Sequence, residues 1–237
     1  MSRTAIENRG RISDAFKAKG RSTLTRTDIV AAATALLDEQ GIEALSMRKL
    51  ATALGTGPST LYWHVRDKDQ LLALILDDTI AHVDAPASGR WNTRLIKMLD
   101  QARTAIAPRP MLVPVILGAR WDVGQHALRI ADTALALLIQ GGVPEHELAD
   151  AYFLLLHYTM GFIEAEAHAR FNETYAQEHQ GRATSPVDAS PLDAYPNLVR
   201  HGPATTPADM PARFNYGLTI ILAGLTKSPA KRARHSR

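Results

Sequence analysis

Seven side chains between residues 48 and 68 are of the types that recognise double-stranded DNA. Arg48 can donate a pair of hydrogen bonds to guanine, and the Tyr62 hydroxyl can bind a phosphate. Thr60 and Trp63 can pack against the methyl group of thymine, and Lys68 is placed to hold the DNA backbone. The predicted DNA-contact residues are Arg48, Ser59, Thr60, Tyr62, Trp63, His64 and Lys68.

Short helices joined by a tight turn must position these side chains. Thr25 and Asp28 have the spacing of a capping box at the start of the first helix. Ser46 and Asp67 are suited to cap the second and fourth helices, and Pro58 suits the first position of the third. This order is that of a helix-turn-helix, whose second helix enters the major groove. The predicted pieces are a helix from about 25 that ends at Gly41, a helix over 47–54, a turn of Gly55, Thr56 and Gly57, a helix from 58, and a helix from about 68 to 83 with Gln70 completing its cap.

The helical period divides the third helix into two faces. Leu61 and Val65 are one turn apart and are predicted to face a core built with Ala33, Leu45, Leu50 and Leu54. Thr60, Trp63 and His64 then point outward. The alternative interpretation is that Tyr62 and Trp63 fill the core of a small domain.

The rest of the chain predicts more helices and no strand, so the expected fold class is all-α. The segment 171–208 differs because prolines interrupt a polar stretch, which predicts a long mobile loop with a short helix inside it. We expect a basic flexible arm over 1–24, a helix-turn-helix domain over 25–72 with three helices, a ligand-binding and dimerisation domain over 84–226, and a basic tail over 227–237. The further predicted helices cover about 91–107, 110–119, 125–140, 145–170 and 209–226.

Composition excludes several protein classes. The chain has 46% apolar and 22% charged residues, which is ordinary for a soluble globular protein. It has no cysteine, no apolar leader and no apolar run of about 18 residues, which predicts a cytoplasmic protein without disulfides or a membrane span. Both ends are rich in Lys and Arg, which indicates either extra phosphate contacts or solvated tails.

The stretch TLYWHV, with MRKLATALG before it and a Lys-Asp pair after it, resembles the DNA-binding domain of the tetracycline-repressor (TetR) family. The resemblance covers about 25–72. It implies that Arg48 and Trp63 contact bases and that Thr60, Tyr62 and Lys68 bind the DNA backbone. The turn departs from the tetracycline repressors, because Pro58 and Ser59 stand where they carry a Gln and a Pro. A different operator is therefore expected.

A weaker resemblance continues past residue 90 and implies a homodimer held by a four-helix bundle of about 145–170 and 209–226. Both segments are apolar over more than one face, which agrees with helices covered by core and partner. The tetracycline-binding residues do not carry over: an Asn, a Phe and a metal-binding His are replaced by Met98, Ala102 and Ile116. We expect a more apolar pocket for a largely hydrophobic inducer. The predicted ligand contacts are Met98, Ala102, Ile116, Leu135, His157, Met160 and Glu164.

A polar stripe runs along the predicted helix 145–170. His157, Gly161, Glu164 and His168 share one helix face by their spacing. The alternatives are an interface stripe or an exposed face, a ligand-orienting set, and a metal site. The two His are roughly 16 Å apart along the axis, so one ion cannot bridge both within a subunit. No metal and no cofactor are predicted.

These patterns predict a ligand-responsive regulator that binds a palindromic DNA operator and is released by a small hydrophobic inducer. An activator of the same fold remains an alternative, and so does a protein-binding adaptor without specific DNA binding. An enzyme is not expected. Ser59, His64 and Asp67 would lie on the exposed reading surface without any oxyanion arrangement, so they do not form a catalytic triad.

Overall fold

A computed structural model describes residues 24–118, 124–178, 195–201 and 207–226. Within these ranges the regular structure is helical, which confirms the predicted all-α class. No described helix is both long and apolar enough to cross a membrane. The α-helices are α1 (Arg26–Gln40), α2 (Met47–Ala53), α3 (Pro58–Tyr62), α4 (Lys68–Thr79), α5 (Trp91–Ile106), α6 (Val113–Gly118), α7 (Gln125–Gln140), α8 (Leu148–Glu178), α9 (Pro196–His201) and α10 (Met210–Leu225).

The described residues form two compact units that are not continuous in sequence. The first unit contains the chain up to Asp84 together with 109–134, and the second contains 85–108 and the chain from Leu135 onward. The dividing line falls inside α7, after Ala134. The segment that follows α5 therefore belongs with the helix-turn-helix and not with the rest of the C-terminal part.

The helix ends of the first unit are strongly specified by the sequence. The Thr25 and Asp28 side chains make both bonds of the predicted capping box, and Gly41 ends α1 at a φ of 74°. Ser46 caps α2 by accepting the Lys49 N–H, and Pro58 occupies the first turn of α3. The buried core includes the predicted Ala33, Leu45, Leu50, Leu61 and Val65. Leu54 is only half-buried because it lies at the C-cap of α2, where the helix turns toward solvent.

The second unit packs α5 and α8 with α10. The buried side chains of α5 recur at helical spacing from Leu95 to Ile106, as an amphipathic helix requires. Two glycines allow close packing here. A Cβ at Gly217 would overlap the Tyr158 hydroxyl, and a Cβ at Gly141 would lie 2.6 Å from the Trp91 ring.

Two predicted helix ends were wrong. The fourth helix ends at Thr79 and not near residue 83, because the backbone tightens there into i to i+3 hydrogen bonds, from the Ala81 N–H to the Asp78 oxygen and from the Val83 N–H to the Ile80 oxygen. Helix α8 continues to Glu178, so the predicted loop does not begin at 171. The first proline after this helix is Pro186, and nothing between 171 and 178 breaks a helix.

Smaller differences concern the helix starts. Short 3₁₀ turns, Pro110–Leu112 and Glu145–Glu147, precede α6 and α8 where continuous helices were predicted. Helix α9 is the short helix that was expected within the loop. Residues 1–23 of the basic arm predicted over 1–24, most of the loop, and the basic tail over 227–237 lie outside the described residues.

Candidate DNA-reading surface and ligand-contact residues

Helix α3 presents its aromatic side chains to solvent. Leu61 and Val65 are fully buried and anchor the helix, whereas Trp63 is 89% exposed and Tyr62 is 54% exposed. The alternative that these two rings fill the domain core is therefore wrong. A large exposed ring on so short a helix is available to contact another molecule.

The other predicted DNA-contact side chains lie on the same unit. Arg48, on the first turn of α2, is exposed, and so are Ser59 and Thr60 on α3. His64 is half-exposed. Ser46 caps α2, which carries Arg48. The turn at Gly55, which has a φ of 66°, precedes α3 and its exposed side chains. We call Arg48, Ser59, Thr60, Tyr62, Trp63 and His64 the reading surface.

Lys68 is partly withdrawn from solvent. Its Nζ donates a hydrogen bond of 2.7 Å to the Ile42 carbonyl oxygen in the link between α1 and α2. An ammonium group has further N–H donors, so this bond leaves some of them for a phosphate. The contact also fixes the start of α4 to the link between α1 and α2.

Asp67 caps α4 and supports this arrangement. Its carboxylate accepts from the Gln70 N–H at 2.8 Å and from Arg66 Nε at 2.8 Å. The Gln70 side chain in turn accepts from the Arg66 N–H at 2.7 Å. The Gln70 backbone bond, followed by the Arg66 side chain, lowers the pKa of Asp67 below its usual value, since both favour the ionised carboxylate.

Two long-range polar contacts in the first unit, of Arg109 and of His126, were not predicted. Arg109 donates from Nε and from its terminal nitrogen to both oxygens of Asp38, each at 2.6 Å. The bond to Asp38 raises the pKa of Arg109 above its usual value. His126 Nδ1 lies 3.0 Å from Asp77 Oδ2. The partners are 71 and 49 residues apart, so no local spacing could have revealed them.

The predicted ligand contacts are divided between the two units. Met98, Ala102 and Met160 are buried in the second unit, where Leu135 and Glu164 are half-buried. His157 is exposed, and its Nδ1 lies 2.7 Å from the Phe153 carbonyl oxygen. Ile116 belongs to the first unit and is half-buried. Their role in ligand binding stays a prediction.

A cavity of about 540 Å³ lies within the first unit between α4 and the segment that holds α6. Its apolar wall includes Leu72, Met111 and Val115, and Arg66 and Asp69 stand at its polar side. None of the predicted ligand contacts lines it. It is therefore separate from the pocket that the sequence predicts.

A buried ion network in the second unit was also missed. Arg103 on α5 pairs with Glu166 on α8 at 2.5 Å, and both side chains are about 5% exposed. Asp100 contributes a second partner for Arg103, Arg170 a second partner for Glu166, and the Arg103 guanidinium lies 5.4 Å from the centre of the Phe214 ring. The ion pairs link α5 to α8, and the contact of the Arg103 guanidinium with the Phe214 ring adds α10.

The polar stripe of α8 is mostly at the surface. His157, Gly161 and His168 are exposed, and Glu164 is half-buried. In the described part of the chain no group of three or more His, Asp or Glu side chains is arranged to hold a metal ion. The stripe remains open to the interface and ligand interpretations.

Comparison with known proteins agrees with these observations. Residues 29–75 match the family model "Bacterial regulatory proteins, tetR family", and residues 85–228 match "Tetracyclin repressor-like, C-terminal domain". An HTH-type transcriptional regulator of Saccharopolyspora erythraea is 31% identical, with 88% of this chain and 87% of the relative covered. The class D tetracycline repressor protein of Escherichia coli is also 31% identical, with coverage of 85% and 88%.

A solved structure extends the likeness to three dimensions. ActR of Streptomyces coelicolor, a TetR family protein in complex with actinorhodin, has a TM-score of 0.71 and 30% identity, and the match covers 86% of this chain and 96% of that one. Proteins of this family are transcriptional regulators and not enzymes. With both halves matched by family models, this chain is a DNA-binding transcriptional regulator that belongs to the TetR family.

Proposed function

We propose that the protein is a ligand-responsive repressor that binds a palindromic DNA operator as a homodimer and is released by a small, largely hydrophobic inducer. Because its proposed target is DNA, we infer that it acts in the cytoplasm. The proposal keeps the seven predicted DNA-contact residues as the reading residues. As in other dimeric helix-turn-helix proteins, the dimer would present two reading surfaces to successive major grooves.

The exposed Trp63 ring is the observation that carries the proposal. Leu61 and Val65 hold α3 in the core, while Trp63 and the neighbouring Tyr62 expose most of their surface. Exposing a large apolar ring to water is unfavourable unless a partner covers it. Arg48, exposed on α2 of the same unit, would supply the donor pair that reads guanine.

Exposed apolar side chains on α8 and α10 support the dimer. One face of each helix packs inside the second unit. Another face of each helix exposes large apolar side chains to solvent. These are Phe153 and Leu154 on α8 and Tyr216 and Ile220 on α10. A partner that covers them would remove apolar surface from water, as in an obligate dimer.

The apolar character of the buried ligand candidates supports a hydrophobic inducer. Met98, Ala102 and Met160 offer no charge to a bound molecule. In the proposed pocket Glu164 would orient the inducer, as predicted. Ligand and DNA favour different arrangements of the dimer, so each weakens the binding of the other by the same factor.

Selection of bound sequences from random duplex DNA tests the core of the proposal. We expect enrichment of a palindrome. With that duplex, Arg48→Ala should weaken binding by about 5- to 150-fold and relax the base preference at one position of each half-site. Lys49→Ala removes the same charge from the neighbouring exposed residue and is the matched control. It should weaken binding to all sequences alike.

Dimerisation and fold must survive these substitutions for the test to be valid. Because Trp63 is 89% exposed, Trp63→Ala should change the free energy of unfolding by less than about 0.5 kcal/mol while it reduces operator binding. Equal loss for Arg48→Ala and Lys49→Ala, without any shared motif in the selected DNA, would contradict a specific operator. The adaptor alternative would then be favoured.

Inducer binding is tested by release of the operator. Actinorhodin is the first probe, because it occupies the related ActR, and a panel of small apolar molecules follows. For the releasing molecule, Glu164→Ala should lower affinity, whereas Glu173→Ala, an exposed acid on the same helix, should not. Unchanged affinity of the Glu164 variant would remove that residue from the ligand site. Placement of the operator relative to its promoter distinguishes a repressor from an activator.

A further inference from the structure

One carboxylate of the first unit caps a helix to which it does not belong. Asp77 lies on α4, and its Oδ1 accepts from the backbone N–H of His126 at 2.8 Å and of Ala127 at 3.2 Å. Its Oδ2 lies 3.0 Å from His126 Nδ1. These amides belong to the first turn of α7, where backbone N–H groups have no hydrogen-bond partner within the helix. The N-terminus of a helix also carries a partial positive charge. The Asp77 carboxylate thus supplies the N-terminal cap of α7 from another element.

The surroundings of Asp77 make this contact close and specific. Its side chain is only 17% exposed. A Cβ at Gly124, directly before α7, would overlap the Asp77 carboxyl group, and Gly124 does not have a positive φ. The glycine is therefore required here for space rather than for its backbone conformation. Arg129, one turn further along α7, donates to the Ala81 carbonyl oxygen at 3.0 Å, just after the end of α4.

We propose that Asp77 is a positioning residue of the switch: it fastens the start of α7 to α4 so that 109–134 moves together with the reading surface. This inference rests on the proposed ligand-responsive function. Helix α4 begins directly after the reading surface, and α7 continues past Ala134 into the second unit, which holds most of the predicted ligand contacts. A shift of α7 would therefore be passed to α4 through the Asp77 contacts.

The contact with Arg109 gives the segment a second attachment. Arg109 begins the segment 109–134 and forms its two-pronged bond with Asp38 on α1. One end of the segment is thus held to α1, and the start of α7 is held to α4. Asp77 is the more buried of the two carboxylates, with 17% of its side chain exposed against 46% for Asp38. We therefore place the principal connection at Asp77.

Hydrogen exchange of the full-length protein tests the contact without any DNA or inducer. Asp77→Ala should raise exchange of the first amides of α7 by about fivefold, which corresponds to loss of a helix cap. Asp77→Asn keeps an oxygen that can cap and should rescue most of the protection. Asp132→Ala removes an exposed acid of the same helix and should leave exchange unchanged. Unchanged exchange in the Asp77→Ala protein would overturn the proposal.

Binding of the selected operator duplex then tests the coupling, by a readout that a purely structural cap would not move. In the wild type, operator should slow exchange both at α3 and at the first turns of α7. In Asp77→Ala and in Gly124→Ala, slowing should remain at α3 and be lost at α7. The positioning role would be refuted if operator still slowed exchange at α7 in both variants. It would also be refuted if operator did not slow exchange at α7 in the wild type. Failure to select any operator would instead refute the proposed function, while the DNA-free experiment would still decide the contact.

Discussion

The buried pair of Arg103 and Glu166 allows a sharp test of how charge stabilises the second unit. We consider Glu166→Leu, which removes the carboxylate and leaves the guanidinium in place. Arg103 is about 5% exposed, so its charge would remain away from water. Removing one partner of a buried ion pair typically costs about 3–5 kcal/mol.

The structure reduces this expected loss somewhat. Asp100 still accepts from Arg103, at 3.0 Å from Nε and 2.9 Å from the terminal nitrogen, and its side chain is 36% exposed. The remaining partner keeps part of the charge compensated. We therefore expect Glu166→Leu to lower the free energy of unfolding by about 2–4 kcal/mol.

Removing both charges should have a different result. In Arg103→Met/Glu166→Leu no unpaired buried charge remains, and a Met sulfur can pack on the Phe214 ring that now lies beneath the guanidinium. Asp100 and Arg170 retain access to water, because their side chains are 36% and 49% exposed. The double variant should unfold within about 1 kcal/mol of the wild type.

Urea unfolding, followed by circular dichroism at one fixed protein concentration, measures these differences, since the stability of the proposed dimer would depend on concentration. Asp100→Asn is the control for a partly exposed charge and should cost less than about 1 kcal/mol. The reasoning would be refuted if Glu166→Leu cost no more than the control. It would also be refuted if the double variant lost as much as Glu166→Leu.

Three further predictions concern the first unit. Gly41→Ala should destabilise by about 1–3 kcal/mol in urea unfolding, because its φ of 74° and ψ of 175° suit glycine alone. Gly57→Ala, at a negative φ with open space around it, should be close to neutral, and equal losses would contradict this. Since the pKa of Asp67 is lowered on folding, its contribution is complete at neutral pH and disappears as pH falls below about 4. An acid titration of urea midpoints should therefore show wild type and Asp67→Ala converging at low pH, and a constant gap would argue against the cap. Asp38→Asn should cost about 1 kcal/mol or less and lose its effect in 1 M salt, because the pair with Arg109 is partly exposed; a salt-independent loss would indicate packing instead.

Local chemistry explains which features could be predicted from the sequence. The caps at Thr25, Ser46 and Asp67 each involve a partner three residues away, so the pattern is visible in the linear sequence. The inward face of α3 follows from the helical period alone. The exposure of Thr60 and Trp63 was predictable because both lie on the outward face of one short helix.

Features that depend on distant pairing could not be predicted. Arg103 and Glu166 are 63 residues apart, and nothing near either residue marks the other as its partner. The assignment of 109–134 to the first unit depends in the same way on contacts with α1 and α4. The end of α8 was misplaced because the downstream prolines suggested a loop, although they lie beyond the helix. The ligand candidates rest on resemblance to the tetracycline repressors. In this chain Met98, Ala102 and Ile116 replace the Asn, Phe and His that bind the drug in those repressors.

The exposure of the reading surface has a consequence for how such regulators diversify. Tyr62 and Trp63 contribute little to the folded core, whereas Leu61, directly before them, is fully buried. Substitutions at the outward positions therefore change the free energy of unfolding very little, while under the proposed function they change which bases are contacted. After gene duplication, two copies can drift apart in operator preference through neutral steps in stability. The same separation makes α3 a suitable segment for changing the proposed DNA specificity while the second unit stays unchanged.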